Sequence, residues 1–182
     1  MRRLFFQFLG GLMLCFFLQS CSEEQNFDQF DDLSITPTVA SSIFYLESDE
    51  ASINEVDSGP FYYQTVNFDA FNEEFVAERL IEGTISYEIE NTTSKSLQVS
   101  IEFLDEGGNV LDIENFNIEP NLPEPSTRDV TYGPTGKSLN ILAATSGLRV
   151  TGNNMSDDTS VSNASDPKVI LRSAAEFIFR LK

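Results

Sequence analysis

The strongest constraint on this fold is a period of two. Gly83, Ile85, Tyr87 and Ile89 alternate with Thr84, Ser86, Glu88 and Glu90. Leu97, Val99, Ile101 and Phe103 do the same against Gln98, Ser100 and Glu102. Near the C-terminus, Val169, Leu171, Ser173, Ala175, Phe177, Phe179 and Leu181 alternate with Lys168, Arg172, Glu176 and Arg180. Successive side chains of a strand point to opposite faces, so each segment reads as a strand with one face in a core and one in water. Weaker strand segments are 39–46, 61–68, 109–118, 127–132 and 147–152. Turn clusters separate them: Asp57-Ser58-Gly59-Pro60, Asp105-Glu106-Gly107-Gly108, Pro120 to Pro125, and Gly152-Asn153-Asn154. Eight short strands at this spacing predict a mostly β fold: an antiparallel, immunoglobulin-like β-sandwich with one or two short helices.

The helices are expected at 72–80 and 138–145. In the first, Asn72 caps, Glu73 and Glu74 suit the positive end, Arg79 suits the negative end, and Phe71, Phe75 and Leu80 face the sheet. The polar stretch 153–166 reads as a long mobile loop. Across the 105–109 turn, a left-handed Gly108 predicts a hairpin with Phe103 opposite Leu111 and Ile101 opposite Ile113. That register sets Glu102 against Asp112 on the wet face, where like charges repel. No repeat of solenoid or propeller length is present.

Composition removes several functions. The chain holds 182 residues, 41% of them hydrophobic, with 11 basic and 29 acidic side chains and no histidine. Lacking histidine, it has no Ser-His-Asp or Cys-His machinery and no His-containing zinc site. Acidity on this scale excludes nucleic acid as a partner, because phosphate recognition needs clustered Lys and Arg.

The N-terminus carries an address. Met1-Arg2-Arg3 precedes an apolar run from Leu4 to Leu18, broken only by Gln7, Gly10 and Gly11. As a helix the run spans about 22 Å against roughly 30 Å of hydrocarbon, which suits a secretory signal better than a retained anchor helix. Cys15 lies inside the run and leaves with it. Cys21 follows Leu18, Gln19 and Ser20, and this quartet resembles the lipobox of bacterial lipoproteins. The resemblance implies cleavage before Cys21, a diacylglycerol thioether on its sulfur and an acylated α-amine. Ordinary secretion with a free Cys21 thiol is the alternative. Ser22, Glu23 and Glu24 then resemble the surface-export signal of Bacteroidetes-type lipoproteins; a solvated, charged tether is the plain alternative. Residues 1–20 carry two bases and no acids, so their loss moves the net charge from −18 to −20. A body so acidic gains nothing from an anionic membrane surface, and the acyl chains must do the holding. The domain layout is therefore a signal peptide at 1–20, lipidated Cys21 with an acidic tether at 21–33, and a β-sandwich at 34–182.

Inside that body the motifs are weak. Gly133-Pro134-Thr135-Gly136-Lys137-Ser138 invites a P-loop reading, but only two residues separate its glycines where four are needed, and Pro134 removes a donor N–H. No nucleotide is expected; the string reads as a turn into a helix. Lys137 and Ser138 are adjacent, so they do not face each other as a hydrolase pair. The acidic stretches Ser156–Asp166 and Asp105-Glu106 offer oxygen ligands without the alternating spacing of a calcium loop, and read as solvated acidic loops. Asn91, Asn154 and Asn163 begin sequons that mark surface loops. Phe61-Tyr62-Tyr63 reads as a core strand end against an exposed contact patch. The expected function is a surface-exposed, outer-membrane, non-catalytic binding or accessory module, with specificity in its loops. Its partners are the bilayer, through acylated Cys21, and a protein or glycan; the periplasmic face is the alternative location. No cofactor or metal is implied. The competing reading is a carboxylate-dependent hydrolase acting on extracellular polysaccharide.

Overall fold

A computed structural model describes residues 34–56, 59–68 and 77–181. Strands form where the alternation predicts them: β1 (Thr38–Asp49), β2 (Tyr62–Asn67), β3 (Leu80–Asn91), β4 (Leu97–Leu104), β5 (Val110–Ile118), β6 (Ser126–Tyr132), β7 (Gly147–Asn154) and β8 (Lys168–Phe179). Helix α1 (Glu50–Asn54) follows β1 directly, and α2 (Leu139–Ala144) lies between β6 and β7. The expected 138–145 helix is α2, capped by the Ser138 side chain, which accepts from the Asn140 N–H. Sequence periodicity misses α1 because five residues are too few to show it; Asp49 caps it by accepting from the Ser52 N–H at 2.7 Å. Most of the 72–80 helix falls outside the described residues, and its last residue, Leu80, opens β3.

Among the described residues all strand pairs are antiparallel, in two four-stranded sheets ordered β1-β8-β3-β6 and β2-β7-β4-β5. The antiparallel β-sandwich is as expected, but its wiring is not immunoglobulin-like. Eight strands in this order form the double Greek key of a jelly roll. Alternation says which face of a strand is wet and carries no record of which strand lies beside it. Only β4 and β5 are neighbours in both sequence and sheet; every other described pairing joins strands far apart in the chain.

Between the sheets lie Ile85, Tyr87, Val99, Ile101, Phe103, Leu148, Val150 and Leu171, each at most 1% exposed. Burying each such side chain contributes roughly 1.5–3 kcal/mol. Helix α2 closes one end with fully buried Leu142. A Cβ on Gly83 would meet Leu142 and Phe177 at 2.9 Å, so this strand position takes glycine to admit the helix.

Two irregularities set what the faces present. In β1 the register shifts between Ser42 and Phe44. Before the bulge Ser41 lies opposite Ala175; after it Phe44 lies opposite Ser173 and Leu46 opposite Leu171. The extra residue lets Ser42 and Tyr45, three apart in sequence, share the outer face. In the β4–β5 hairpin Gly108 has the expected left-handed φ of 77°. The expected register is nonetheless wrong by one: Phe103 pairs with Asp112, Glu102 with Ile113 and Ile101 with Glu114. Phe116 and Ile118 hold the core side of β5. Unbroken alternation back from them turns Asp112 and Glu114 inward and leaves Ile113 45% exposed.

Candidate functional site

The bulge in β1 builds a trough of about 730 Å³ across the outer face of the β1-β8-β3-β6 sheet, a size usual for small-molecule sites. Two rows of outward side chains form it. One runs Tyr45, Arg172, Glu88 and Thr127; the next runs Ser42, Ala174, Ser86 and Asp129. Tyr45 is 54% exposed. Its hydroxyl donates to the Glu47 carboxylate, which raises the Tyr45 pKa and lowers that of Glu47. The Arg172 guanidinium lies 6.0 Å from the ring centroid. Its Nη1 reaches Glu88 Oε1 at 2.7 Å and also bonds Glu90. Among the described residues, no hydrogen bond or ion pair engages the exposed Asp129 carboxylate. The floor is built of the small residues Ser42, Ala174 and Ser86 and is more apolar than polar, and the walls carry a ring, a guanidinium and carboxylates. Such a surface can grip a ligand bearing both hydroxyls and a flat apolar face.

A second cluster joins the edges of the two sheets. Lys137 Nζ lies 2.5 Å from both Asp112 Oδ2 and Glu114 Oε1. Arg128 reaches Glu114 Oε2 at 2.6 Å and the Asn115 carbonyl at 3.0 Å, with its guanidinium 3.8 Å from the Phe116 ring centroid. Burial disfavours the Lys137 charge, yet its bonds to Asp112 and Glu114 more than offset this and raise its pKa. Beside the cluster, burial raises the pKa of Tyr87 and Tyr132. The arrangement is an ionic latch between β5 and β6. The sequence reading places Asp112 on the wet face and so misses it; the apolar parity of Phe116 and Ile118 was the available signal.

A third cluster pins the polar loop. Lys95 is 0% exposed, and its amine donates to the Asp157 carbonyl at 3.0 Å, Asp157 Oδ1 at 3.3 Å and Ser160 Oγ at 2.8 Å. Buried Glu50 accepts from Ser94 N and Oγ and from Ser162 N at 2.5–2.7 Å. Burial opposes the Glu50 charge, but those bonds and the Lys95 charge outweigh it, so its carboxyl is held below the usual range. Backbone N–H groups of Ser160 and Thr159 hold the Asp157 carboxyl low as well. The 153–166 loop, expected to be mobile, is tied to the body through Met155, Ser156, Asp157, Ser160 and Ser162.

Other sequence-level candidates resolve as local structure. The Gly133–Ser138 string is a turn: Gly133 N–H donates to the Lys137 carbonyl, Lys137 N–H to the Thr131 carbonyl, and Ser138 caps α2. Asp105 spends its carboxylate on the Asn109 N–H and amide. Among the described residues no group of three or more metal-ligating side chains occurs. Asn91 does not mark a surface: it is 0% exposed and bonds the Lys95 and Glu119 carbonyls. Phe61 and Tyr62 pack against the core, while Tyr63 is 64% exposed. Leu18, Gln19, Ser20, Cys21, Ser22, Glu23 and Glu24 lie outside the described residues. No described helix is long and apolar enough to cross a membrane.

The fold and its faces define a jelly-roll β-sandwich carrying a trough on one outer sheet face. No protein-family model matches the chain, and no curated protein matches it in sequence. Solved structures resemble it. The VP2 subviral particle of infectious bursal disease virus has a TM-score of 0.39 at 7% identity, over 82% of this chain and 33% of that one. The chain thus spans about a third of the VP2 chain it matches. A structure of desmodium yellow mottle tymovirus scores 0.36 at 9% identity over 82% and 89%. A disulfide-linked pilus of Bacillus endospore appendages scores 0.34 at 10% identity over 89% and 97%.

Proposed function

We propose that this chain is a lipid-anchored protein of the outer membrane, displayed at the cell surface, whose folded body acts as a non-catalytic binding or accessory module. The observation that carries the anchor is the quartet Leu18-Gln19-Ser20-Cys21 at the end of a 15-residue apolar run, followed by Ser22-Glu23-Glu24. The body fits a binding role. Many of its carboxylates are committed to holding the fold: Asp112 and Glu114 in the latch, Glu102 on Arg149, Glu88 and Glu90 on Arg172, Glu50 at the loop. A glycosidase acid needs a carboxyl raised toward neutral pH. The carboxyls of Glu47, Asp49, Glu50, Asp105 and Asp157 are instead held low by the hydrogen bonds they accept.

Expression with an alkyne-tagged fatty acid tests the anchor. The intact protein takes the label and fractionates with membranes, and Cys21→Ala loses both. Protease applied to intact cells then tests display. The original chain is degraded, whereas the paired change Glu23→Ala and Glu24→Ala keeps the label and is spared. An unlabelled wild-type chain refutes the anchor, and cleavage of the double variant refutes the export signal.

A further inference from the structure

We propose that the trough on the outer face of the β1-β8-β3-β6 sheet binds a neutral saccharide, with Tyr45 as its stacking platform and Asp129, Ser86 and Arg172 as its hydrogen-bonding groups. The proposal deepens the reading of the body as a binding module and rests on it.

The chemistry of the trough selects the ligand. One face of a pyranose presents C–H bonds that suit the electron-rich face of an aromatic ring, while its hydroxyls both donate and accept. The trough offers a matching set: an exposed ring at one end, acceptors at Asp129, donors at Arg172, and the Ser42 and Ser86 hydroxyls between them. The platform is held before any ligand arrives, because the Tyr45 hydroxyl is bonded to Glu47 and Arg172 is fixed by Glu88 and Glu90. Groups ordered in advance lose less entropy on binding.

Charge argues against the competitors. A polyanion meets Glu88, Glu90 and Asp129 around one guanidinium that is already neutralised. A basic peptide finds both glutamates occupied by Arg172, leaving Asp129 as its single open carboxylate in the trough. An apolar partner would strand the serine hydroxyls of the floor. Loops contribute nothing here; the site stands on four paired strands, and β1 supplies its platform because of the bulge.

The test uses the full chain in detergent, titrated calorimetrically with maltotetraose, cellotetraose and mannotetraose, and screened on an array of neutral polysaccharides. Binding to at least one neutral glycan is expected. Tyr45→Ala should weaken it by about tenfold or more, and Tyr45→Phe should stay within about threefold, since the ring does the stacking. Ala174→Leu fills the floor from an exposed position and should abolish binding while leaving the thermal midpoint unchanged. This guards against an edge strand disturbed by the Tyr45 change. No binding across the array overturns the proposal, as does binding that survives Ala174→Leu. Tighter, salt-sensitive binding of oligolysine through Asp129 also overturns it, in favour of a basic peptide. The fatty-acid label and membrane fractionation are scored on the same preparations, so an empty trough and a missing anchor remain separate failures.

Discussion

Replacing Lys95 by Met is the sharpest test of how the end of the sandwich is held. The methionine keeps the stem's bulk and removes only the amine, which lies at 0% exposure with three acceptors within 3.3 Å. Hydrogen bonds from a charged donor contribute about 1.5–3 kcal/mol each, so three would suggest a loss of up to roughly 9 kcal/mol. Two effects shrink that figure. The amine's own desolvation, several kcal/mol for a buried ion, disappears with it. The Asp157 side chain is 55% exposed and regains water. One effect enlarges it, because Glu50 loses the positive charge that helps hold its carboxyl ionised. The balance is about 3 kcal/mol, in the range for breaking a buried ionic contact. Urea denaturation followed by circular dichroism measures it, and amide exchange locates it. Amides at 157–162 should lose protection while those of β4 keep theirs. A loss under about 1 kcal/mol, or exchange rising uniformly over the sheet, refutes the claim that Lys95 pins the loop.

Two further outcomes follow from the ionic contacts. Glu102 sits opposite Arg149 of β7 at 2.5 Å and not opposite Asp112, so Glu102→Gln should destabilise by about 0.5 kcal/mol at low salt. Chemical denaturation in 20 mM and 500 mM salt, both chosen to bracket strong and weak screening, should show the loss shrinking as salt rises; stabilisation at low salt would restore the repulsive register. Glu50 has a folded-state pKa below its unfolded one, so its stabilisation is full above about pH 4.3 and fades as pH falls through the folded value. Thermal midpoints between about pH 3 and 7 should therefore fall less steeply on acidification for Glu50→Gln than for the original chain, from a lower neutral start. Parallel curves would remove Glu50 from the acid transition.

The sequence by itself determined where the strands lie and the faces of β3, β4 and β8. Ile85, Tyr87 and Ile89 in β3, or Val99 and Ile101 in β4, face the core because a two-residue period with apolar side chains on one parity admits one burial solution. It also supplied helix α2 and the left-handed Gly108, since both are local chemistry. Tertiary structure decided what lies beside what. The 1-8-3-6 and 2-7-4-5 order joins strands whose pairing leaves no trace in periodicity. The parity of β5 was readable from Phe116 and Ile118, but turning Asp112 and Glu114 inward is tolerable only because Lys137 and Arg128 arrive from the other sheet's edge. The trough is the same kind of feature. Ser42 and Tyr45 have opposite parity along the chain, and only a bulge fitted against β8 brings them to one face, beside Arg172 and Ala174. A strand's own pattern fixes which side chains point inward, and its neighbours fix what those on the outside meet.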